Sequence, residues 1–266
     1  MSLRKTTAAF VLGAILAASL CPTLFPRLSY SEQNRENVSA RPSLRFPLGT
    51  DDLGRDRLAR LLHASGISLL LAASAAAGTM ALAFLAGGAA GYFGGRCDRC
   101  MVRAIDLMLS LPWLFLLVAV RALLPLNVSP VGSLLVTYTL LAALGWASPA
   151  RVVRAGARNF RDAEFVFQAR AEGCTEFDVL WRHILPNLKP ILVAQFWTAI
   201  PVFILAEANL GFLGLSAGEP FPTWGNLLRE LQNPLFLRPE AFAPAAAIAV
   251  SLFCFKLVSP WGGSQV

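Results

Sequence analysis

The sequence predicts an all-α protein that crosses a membrane about six times. Hydrophobic residues make up 56% of the 266 residues and charged residues only 15%, and the mean hydropathy is +0.57. Soluble domains carry about 25% charged residues, so this composition excludes an ordinary globular domain. Long apolar runs alternate with short polar segments. Such runs indicate spanning helices, because about 20 apolar residues are needed to cross the hydrocarbon core of a bilayer.

The N-terminal segment predicts the first span. Arg4 and Lys5 precede an uncharged run of 21 residues at 6–26. A secretory signal has an apolar region of about 7–15 residues, so the longer run favours an uncleaved transmembrane helix. A polar stretch follows at 27–63. Its second half, 55–62, is compatible with an amphipathic helix that lies at the membrane interface.

The remaining apolar runs predict five further spans. Residues 64–95 contain no charge and are rich in Ala and Gly, which suits close helix packing within lipid. Between 107 and 150 only Arg121 is charged. This length accommodates two spans joined near 125–130, with Arg121 reaching the outer surface. The last two spans are expected at about 191–211 and 241–258.

The charged segment 163–187 predicts two short helices that meet at Gly173. Glycine readily adopts the left-handed conformation that ends a helix. Thr175 and Asp178 have the spacing of a capping box that starts the second helix. Pro186, which lacks an amide donor, is then expected to turn the chain. The second helix should have one apolar face, made by Phe177, Leu180, Trp181 and Ile184.

Four motifs follow one another along the chain. In the 163–187 segment, Gln168-Ala169, Gly173 and Leu185-Pro186 occur at fixed spacing. The other three are PLGTDDLGRDRLARLL at 47–62, AEANLGFLGL at 206–215 and PTWGNLL at 222–228. Together they resemble the permeases of binding-protein-dependent ABC importers, in particular those of the dipeptide, oligopeptide and nickel subgroup. The motif in the 163–187 segment resembles the "EAA" loop of this family.

The sequence departs from this family in two places. Phe167-Gln168 stands where the loop usually has Glu-Ala, and the acidic, glycine-rich ending is missing after Leu257. These departures leave an alternative open, in which the chain is a membrane scaffold or a decayed permease that does not transport. A polytopic membrane enzyme is a third, more distant interpretation.

The resemblance implies a subunit that forms half of a translocation pathway for peptides, nickel or a related small solute. Its implied partners are a homologous second permease, two cytoplasmic ATPase subunits and an external substrate-binding protein, all at the inner (plasma) membrane with its lipid. The resemblance also implies that the 163–187 segment contacts an ATPase subunit. The implied contact residues are Glu164, Phe165, Phe167, Gln168, Ala169, Arg170, Gly173, Leu185 and Pro186.

The predicted organisation has three parts. Residues 1–62 hold the first span and an external segment, residues 63–258 form the transmembrane domain with a cytoplasmic coupling loop at 151–189, and residues 259–266 form a short tail. Both termini are expected in the cytoplasm. The positive-inside rule supports this orientation only weakly, because 151–189 and 27–66 each contain seven Lys and Arg residues. The orientation therefore depends on the resemblance.

Glu207 is the one acid well inside an apolar run. Burying it costs about 2.5–3.5 kcal/mol on membrane-insertion scales, so it needs a partner or water. Two interpretations stay open, a residue of the pathway or its gate, and a hydrogen bond that packs helices. Arg103 and Asp106 are expected to form an ion pair at the interface. Cys97 and Cys100 form a CxxC pair without a second pair, so no metal site is predicted.

The sequence also lacks the motifs of enzymes and of nucleic-acid binders. No GxxxxGK[ST] loop occurs, so the chain is not expected to bind ATP, which partner subunits would use. No HExxH or GxSxG motif occurs, and no catalytic residue or bound cofactor is predicted. The net charge of +7 is spread over loops rather than concentrated in the patch that nucleic-acid binding requires.

Overall fold

A computed structural model describes residues 3–24, 29–123, 129–216, 218–233 and 238–259. In these residues the regular structure is helical except for one bridge between Thr50 and Asp56, so the predicted all-α class is confirmed. The α-helices are α1 (Leu3–Leu24), α2 (Arg57–Ala83), α3 (Ala89–Phe93), α4 (Gly95–Ser110), α5 (Trp113–Leu123), α6 (Pro130–Leu144), α7 (Ala147–Arg161), α8 (Glu164–Ala171), α9 (Glu176–Asp178), α10 (Leu185–Phe212), α11 (Trp224–Leu227) and α12 (Ala243–Val258).

Three helical stretches of the described chain are long and apolar enough to cross a membrane. They are Arg57–Phe93, Glu176–Phe212 and Pro239–Val258. Two helix pairs raise the number to five if each pair is one span: α4 and α5 meet at 82°, and α6 and α7 meet at 41°. Helix α1, of 22 residues, lies where the first span is predicted. The count of six spans therefore stays a prediction.

Helix α2 begins within the segment that was expected to form an amphipathic helix at the membrane interface. It starts at Arg57 and continues through a π-helical turn at Phe84–Gly88 into α3. Arg57 and Arg60 do not face lipid headgroups, because their side chains are buried and form ion pairs with Glu230 and Glu219. The expectation that 55–62 lies at the membrane interface is therefore wrong.

The predicted turn at Pro186 is also wrong. Helix α9 continues as a π-helix at Val179–Ile184 and then as α10. Proline is tolerated here because it is the second residue of α10, after a π-helical turn that has already shifted the backbone hydrogen bonds. The side-chain amide of Asn187 donates to the carbonyl of His183 at 2.7 Å. The second helix of the 163–187 segment and the fifth predicted span are thus one stretch of 37 residues.

The chain forms two compact units. Unit 1 contains Met1–Ala73, Arg121–Tyr138 and Ile200–Val266, and unit 2 contains Ser74–Val120 and Thr139–Ala199. These units group residues by packing, whereas the three parts predicted from the sequence concern membrane topology. The predicted parts therefore stay a prediction, and most of the expected tail, at 260–266, lies outside the described residues.

Unit 2 is held together by a close approach between α7 and the end of the Arg57–Phe93 stretch. A side chain at Gly87 would place its Cβ 2.2 Å from the carbonyl oxygen of Ala150, and one at Gly91 would place it 2.4 Å from the carbonyl oxygen of Arg154. The backbones therefore touch where the glycines lie, as small residues allow in membrane helices. A buried apolar cluster continues from this contact to α8 and α10.

Unit 1 packs α1 against α12 and encloses the short helix α11. Trp224 of α11 is fully buried. Its indole N–H donates to the hydroxyl of Ser65 at 3.1 Å, and its backbone N–H donates to the hydroxyl of Ser68 at 3.2 Å. The loop after α10 is therefore fastened to α2 by polar contacts inside an apolar unit.

Candidate functional site

Helix α8 presents one side to solvent and the other to the core of unit 2. Val166 and Ala169 are buried in the apolar cluster. Glu164, Phe167 and Gln168 are exposed, and 58% of the Phe167 surface is accessible. Glu164 is the first residue of the helix, where a carboxylate interacts favourably with the helix dipole.

The turn after α8 has the geometry that the sequence predicts. Gly173 has φ +86°. Its N–H donates to the carbonyl of Arg170 at 3.0 Å, and the N–H of Cys174 donates to the carbonyl of Ala169 at 3.0 Å. These two bonds define a Schellman motif, which satisfies carbonyls at the helix end and needs a left-handed residue.

The second helix starts at the predicted cap. The hydroxyl of Thr175 accepts from the backbone N–H of Asp178 at 3.2 Å and donates to its carboxylate at 2.6 Å. The predicted apolar face is only partly buried, because the π-helical turn changes the register of the side chains. Leu180 and Ile184 join the core, whereas Phe177 is 66% exposed.

A hydrogen-bonded cluster joins the two helices to α3. The guanidinium of Arg170 donates to the carboxylate of Glu176 at 3.1 Å and to the hydroxyl of Tyr92 at 3.3 Å. The Tyr92 hydroxyl also donates to Glu176. The hydrogen bonds to Tyr92 and Glu176 raise the pKa of Arg170. Nothing in the sequence indicated Tyr92 or Glu176, because Tyr92 lies in an apolar run and 84 residues separate it from Glu176.

The structure separates the predicted contact residues into two groups. Phe165 and Leu185 are partly buried against the core of unit 2, and the Phe165 ring lies 6.3 Å from that of Phe160. With Ala169 and Arg170 they support the segment from within. Five residues of the predicted set are exposed on it: Glu164, Phe167, Gln168, Gly173 and Pro186.

Glu207 lies in unit 1 and is fully buried. Its carboxylate accepts from the hydroxyl of Ser216 at 2.7 Å. The carbonyl of Ser216 accepts from the hydroxyl of Ser133 at 3.0 Å, and that hydroxyl accepts from Arg121. A role of Glu207 in the pathway or its gate stays a prediction. The chain of bonds links the buried acid to a buried cation.

The expectation that Arg121 reaches the outer surface is wrong. Arg121 is 1% exposed, and one of its guanidinium nitrogens donates to the hydroxyl of Ser133 within unit 1. One neutral hydroxyl does not offset the cost of burying a cation, and the Nε and Nη1 atoms of Arg121 have no hydrogen-bond partner among the described residues.

The contacts of α4 also differ from those expected. Asp106 pairs with Arg151 of α7 at 2.6 Å, so the expected pair between Asp106 and Arg103 is wrong. Cys97 and Cys100 are exposed free thiols. Across the described residues, no group of three or more His, Cys, Asp or Glu side chains could hold a metal ion.

The fold and this segment define a polytopic α-helical membrane protein. The family model described as "Binding-protein-dependent transport system inner membrane component" matches residues 81–261. The chain belongs to this family of inner-membrane transport permeases, and the resemblance drawn from its motifs is confirmed.

Three relatives illustrate how far the similarity extends. The chain is 30% identical over 248 residues to the oligopeptide transport system permease protein OppC of Bacillus subtilis, covering 92% of this chain and 78% of that protein. It is 33% identical over 250 residues to the dipeptide transport system permease protein DppC of Alkalihalophilus pseudofirmus, covering 94% and 79%. It is 32% identical over 262 residues to the glutathione transport system permease protein GsiD of Escherichia coli, covering 95% and 82%.

Proposed function

We propose that this chain is the permease subunit of an ATP-driven importer of short peptides. The names of its relatives support a peptide substrate, since they specify oligopeptides, dipeptides and glutathione, which is itself a small peptide. Nickel, which the motifs also allow, does not occur in these three names. The chain would form half of the pathway with a homologous permease, accept substrate from an external binding protein, and use the ATPase activity of two partner subunits.

We also propose that the 163–187 segment contacts an ATPase subunit and couples it to the permease. The observation that carries this coupling proposal is the exposed ring of Phe167 on a well-supported helix. Beneath it, Val166 and Ala169 are buried, and the cluster of Arg170, Glu176 and Tyr92 fixes the helix from the side. An aromatic side chain on an ordered helix loses little conformational entropy when a partner covers it.

The accessible area of Phe167 is large enough to matter energetically. A phenylalanine buries about 150–250 Å² when it is enclosed, and 58% of this one is exposed. Covering roughly 100 Å² of apolar surface contributes about 2–3 kcal/mol. Phe177, exposed on the neighbouring helix, adds apolar area to the same segment. Phe165 adds less, because its ring already packs inside unit 2.

Co-purification of the ATPase subunits across a salt series tests this proposal. An apolar anchor is largely insensitive to salt, whereas exposed ion pairs weaken as the Debye length falls from about 8 Å at physiological ionic strength. Phe167→Ala should lower the affinity for the ATPase about 30-fold, the equivalent of about 2 kcal/mol. Phe167→Glu should also weaken co-purification of the ATPase subunits, unless the surface that receives residue 167 contains a basic group.

Phe115→Ala is the matched control, because Phe115 is also exposed but belongs to α5 and not to the 163–187 segment. It should leave co-purification unchanged. A complex that dissociates at high salt, together with a normal Phe167→Ala variant, would show that the contact is electrostatic. Failure of any ATPase subunit to co-purify with the wild-type chain would instead favour a scaffold that does not transport.

A further inference from the structure

Unit 1 contains a cavity of about 600 Å³ that none of the proposed coupling residues lines. This volume falls within the range of sites for small molecules, about 300–1,000 Å³. Four arginines, three carboxylates and three amide side chains line it, with only two leucines among them. Such a wall suits a ligand that carries charge and many hydrogen-bonding groups.

Two of the arginines are already neutralised by the protein. Arg55 pairs with Asp51 at 2.7 Å and with Glu219 at 2.6 Å, and Arg60 pairs with Glu219 at 3.2 Å. Burial opposes the ionisation of Glu219, but Arg60 and Arg55 outweigh it and lower the pKa of this carboxyl group. These groups neutralise one another, although the Nε atom of Arg60 has no hydrogen-bond partner among the described residues.

Arg57 is paired less completely. It is 7% exposed, and its Nη2 atom lies 2.9 Å from the carboxylate of Glu230. Its Nε and Nη1 atoms have no hydrogen-bond partner within the described part of the chain. Both atoms are enclosed by the protein, so Arg57 contributes positive charge to the wall of the cavity rather than donors that a ligand could reach.

Two charges remain once these pairs are set aside. Arg229 and Asp52 both line the cavity and are exposed. Neither takes part in an ion pair with another described residue. One free cation and one free carboxylate complement a ligand that carries both charges, which is the state of a short peptide at neutral pH.

We propose that this cavity binds a short peptide by its two charged ends, with Arg229 receiving the terminal carboxylate and Asp52 the terminal ammonium group. Arg57 adds positive charge to the same wall. The side-chain amides in the wall, such as that of Gln232, can pair with the peptide backbone. This inference rests on the proposed function as a peptide permease, and it adds a substrate contact outside the 163–187 segment.

Binding of trialanine to the full permease complex, reconstituted in lipid nanodiscs without the binding protein, tests the proposal. Trialanine should bind, and its C-terminal amide and its N-acetyl form should each bind about tenfold more weakly, because each lacks one charge-assisted contact. Arg229→Ala should lower the affinity for trialanine about tenfold. This variant should then bind trialanine and its C-terminal amide equally well. Arg229→Lys should restore part of the preference, and Asp52→Asn should remove only the preference against the N-acetyl form.

Arg41→Ala is the matched control, because Arg41 is an exposed arginine of unit 1 that does not line the cavity. It should bind all three peptides as wild type does. Co-purification of the ATPase subunits should be unchanged in every cavity variant. If the ATPase subunits did not co-purify with the wild-type chain, but the relative affinities for the three peptides were as expected, the coupling proposal would be refuted and the peptide site would be retained.

Several results would overturn the peptide site. Equal binding of trialanine and its amide by wild type, or no binding at millimolar concentration, would do so. Displacement of trialanine by equimolar acetate or inorganic phosphate would show a simple anion site. Loss of binding-protein docking in Arg229→Ala, without any peptide binding by wild type, would show that the cavity contacts the partner protein instead.

Discussion

Replacing Gly173 by valine tests whether the turn after α8 sets the position of the 163–187 segment. Gly173 has φ +86°, and no heavy atom lies within 4 Å of the Cβ that a side chain would add. The substitution therefore introduces no clash, and its cost comes from backbone strain alone. A left-handed conformation costs an L-residue about 1–2 kcal/mol, and up to about 3 kcal/mol at a strained site.

This strain is large for a local turn. At about 1.4 kcal/mol per factor of ten, it lowers the population of the Schellman turn relative to other conformations by about 5- to 150-fold. The N–H groups of Gly173 and Cys174 then lose their bonds to Arg170 and Ala169. We expect faster hydrogen exchange across 171–176, normal membrane insertion, and a loss of ATPase co-purification and peptide uptake.

Gly173→Asn is the control, because asparagine tolerates the left-handed region better than other residues with a side chain. It should retain most of the co-purification. If Gly173→Val showed wild-type exchange rates and normal uptake, the position of the segment would not depend on this turn.

The remaining predictions concern topology, the buried acid Glu207 and the exposed acid Glu219. Cysteine substitutions at Ser31 and Asn159, both exposed, should be labelled from outside intact cells only at Ser31; labelling of Asn159 would refute the orientation. Glu207→Ala should destabilise the protein by about 1–3 kcal/mol, because the Ser216 hydroxyl loses its buried acceptor, whereas Glu207→Gln should restore most of the melting temperature. The lowered pKa of Glu219 means that its ion pairs stabilise the fold above the unfolded pKa of about 4.3 and lose this effect as pH falls through the folded pKa. Glu219→Gln should therefore melt below wild type at pH 7 and converge with it in acid.

Local signals in the sequence predicted the turn at Gly173 and the cap at Thr175 correctly. The bonds at Gly173 and Thr175 each connect residues at most five positions apart, so the residues that make them stand together in the sequence. The positive φ at Gly173 and the cap at Thr175 were both foreseen. The family was also identified from short motifs, whose order along the chain is itself visible in the sequence.

Contacts between distant residues were not predictable in the same way. The bond between Tyr92 and Glu176 joins positions 84 residues apart, and no local pattern marks either residue. Pro186 was misinterpreted for a related reason. A π-helical turn, which is a product of the surrounding packing rather than of any single residue, allows the helix to continue through it. The burial of Arg121 was missed in the same way, since its one hydrogen-bond partner among the described residues, Ser133, lies in another helix.

The glycine contacts of α7 bear on how a mechanical load would travel through unit 2. Gly87 and Gly91 lie against the carbonyl oxygens of Ala150 and Arg154. No side chain separates the two backbones at these positions, so none can change its conformation and absorb a displacement. Dense packing of this kind transmits displacement instead of absorbing it. A push delivered at Phe167 would therefore move the helices of unit 2 together as a rigid body, and the compliance of the transport cycle would have to lie elsewhere in the chain.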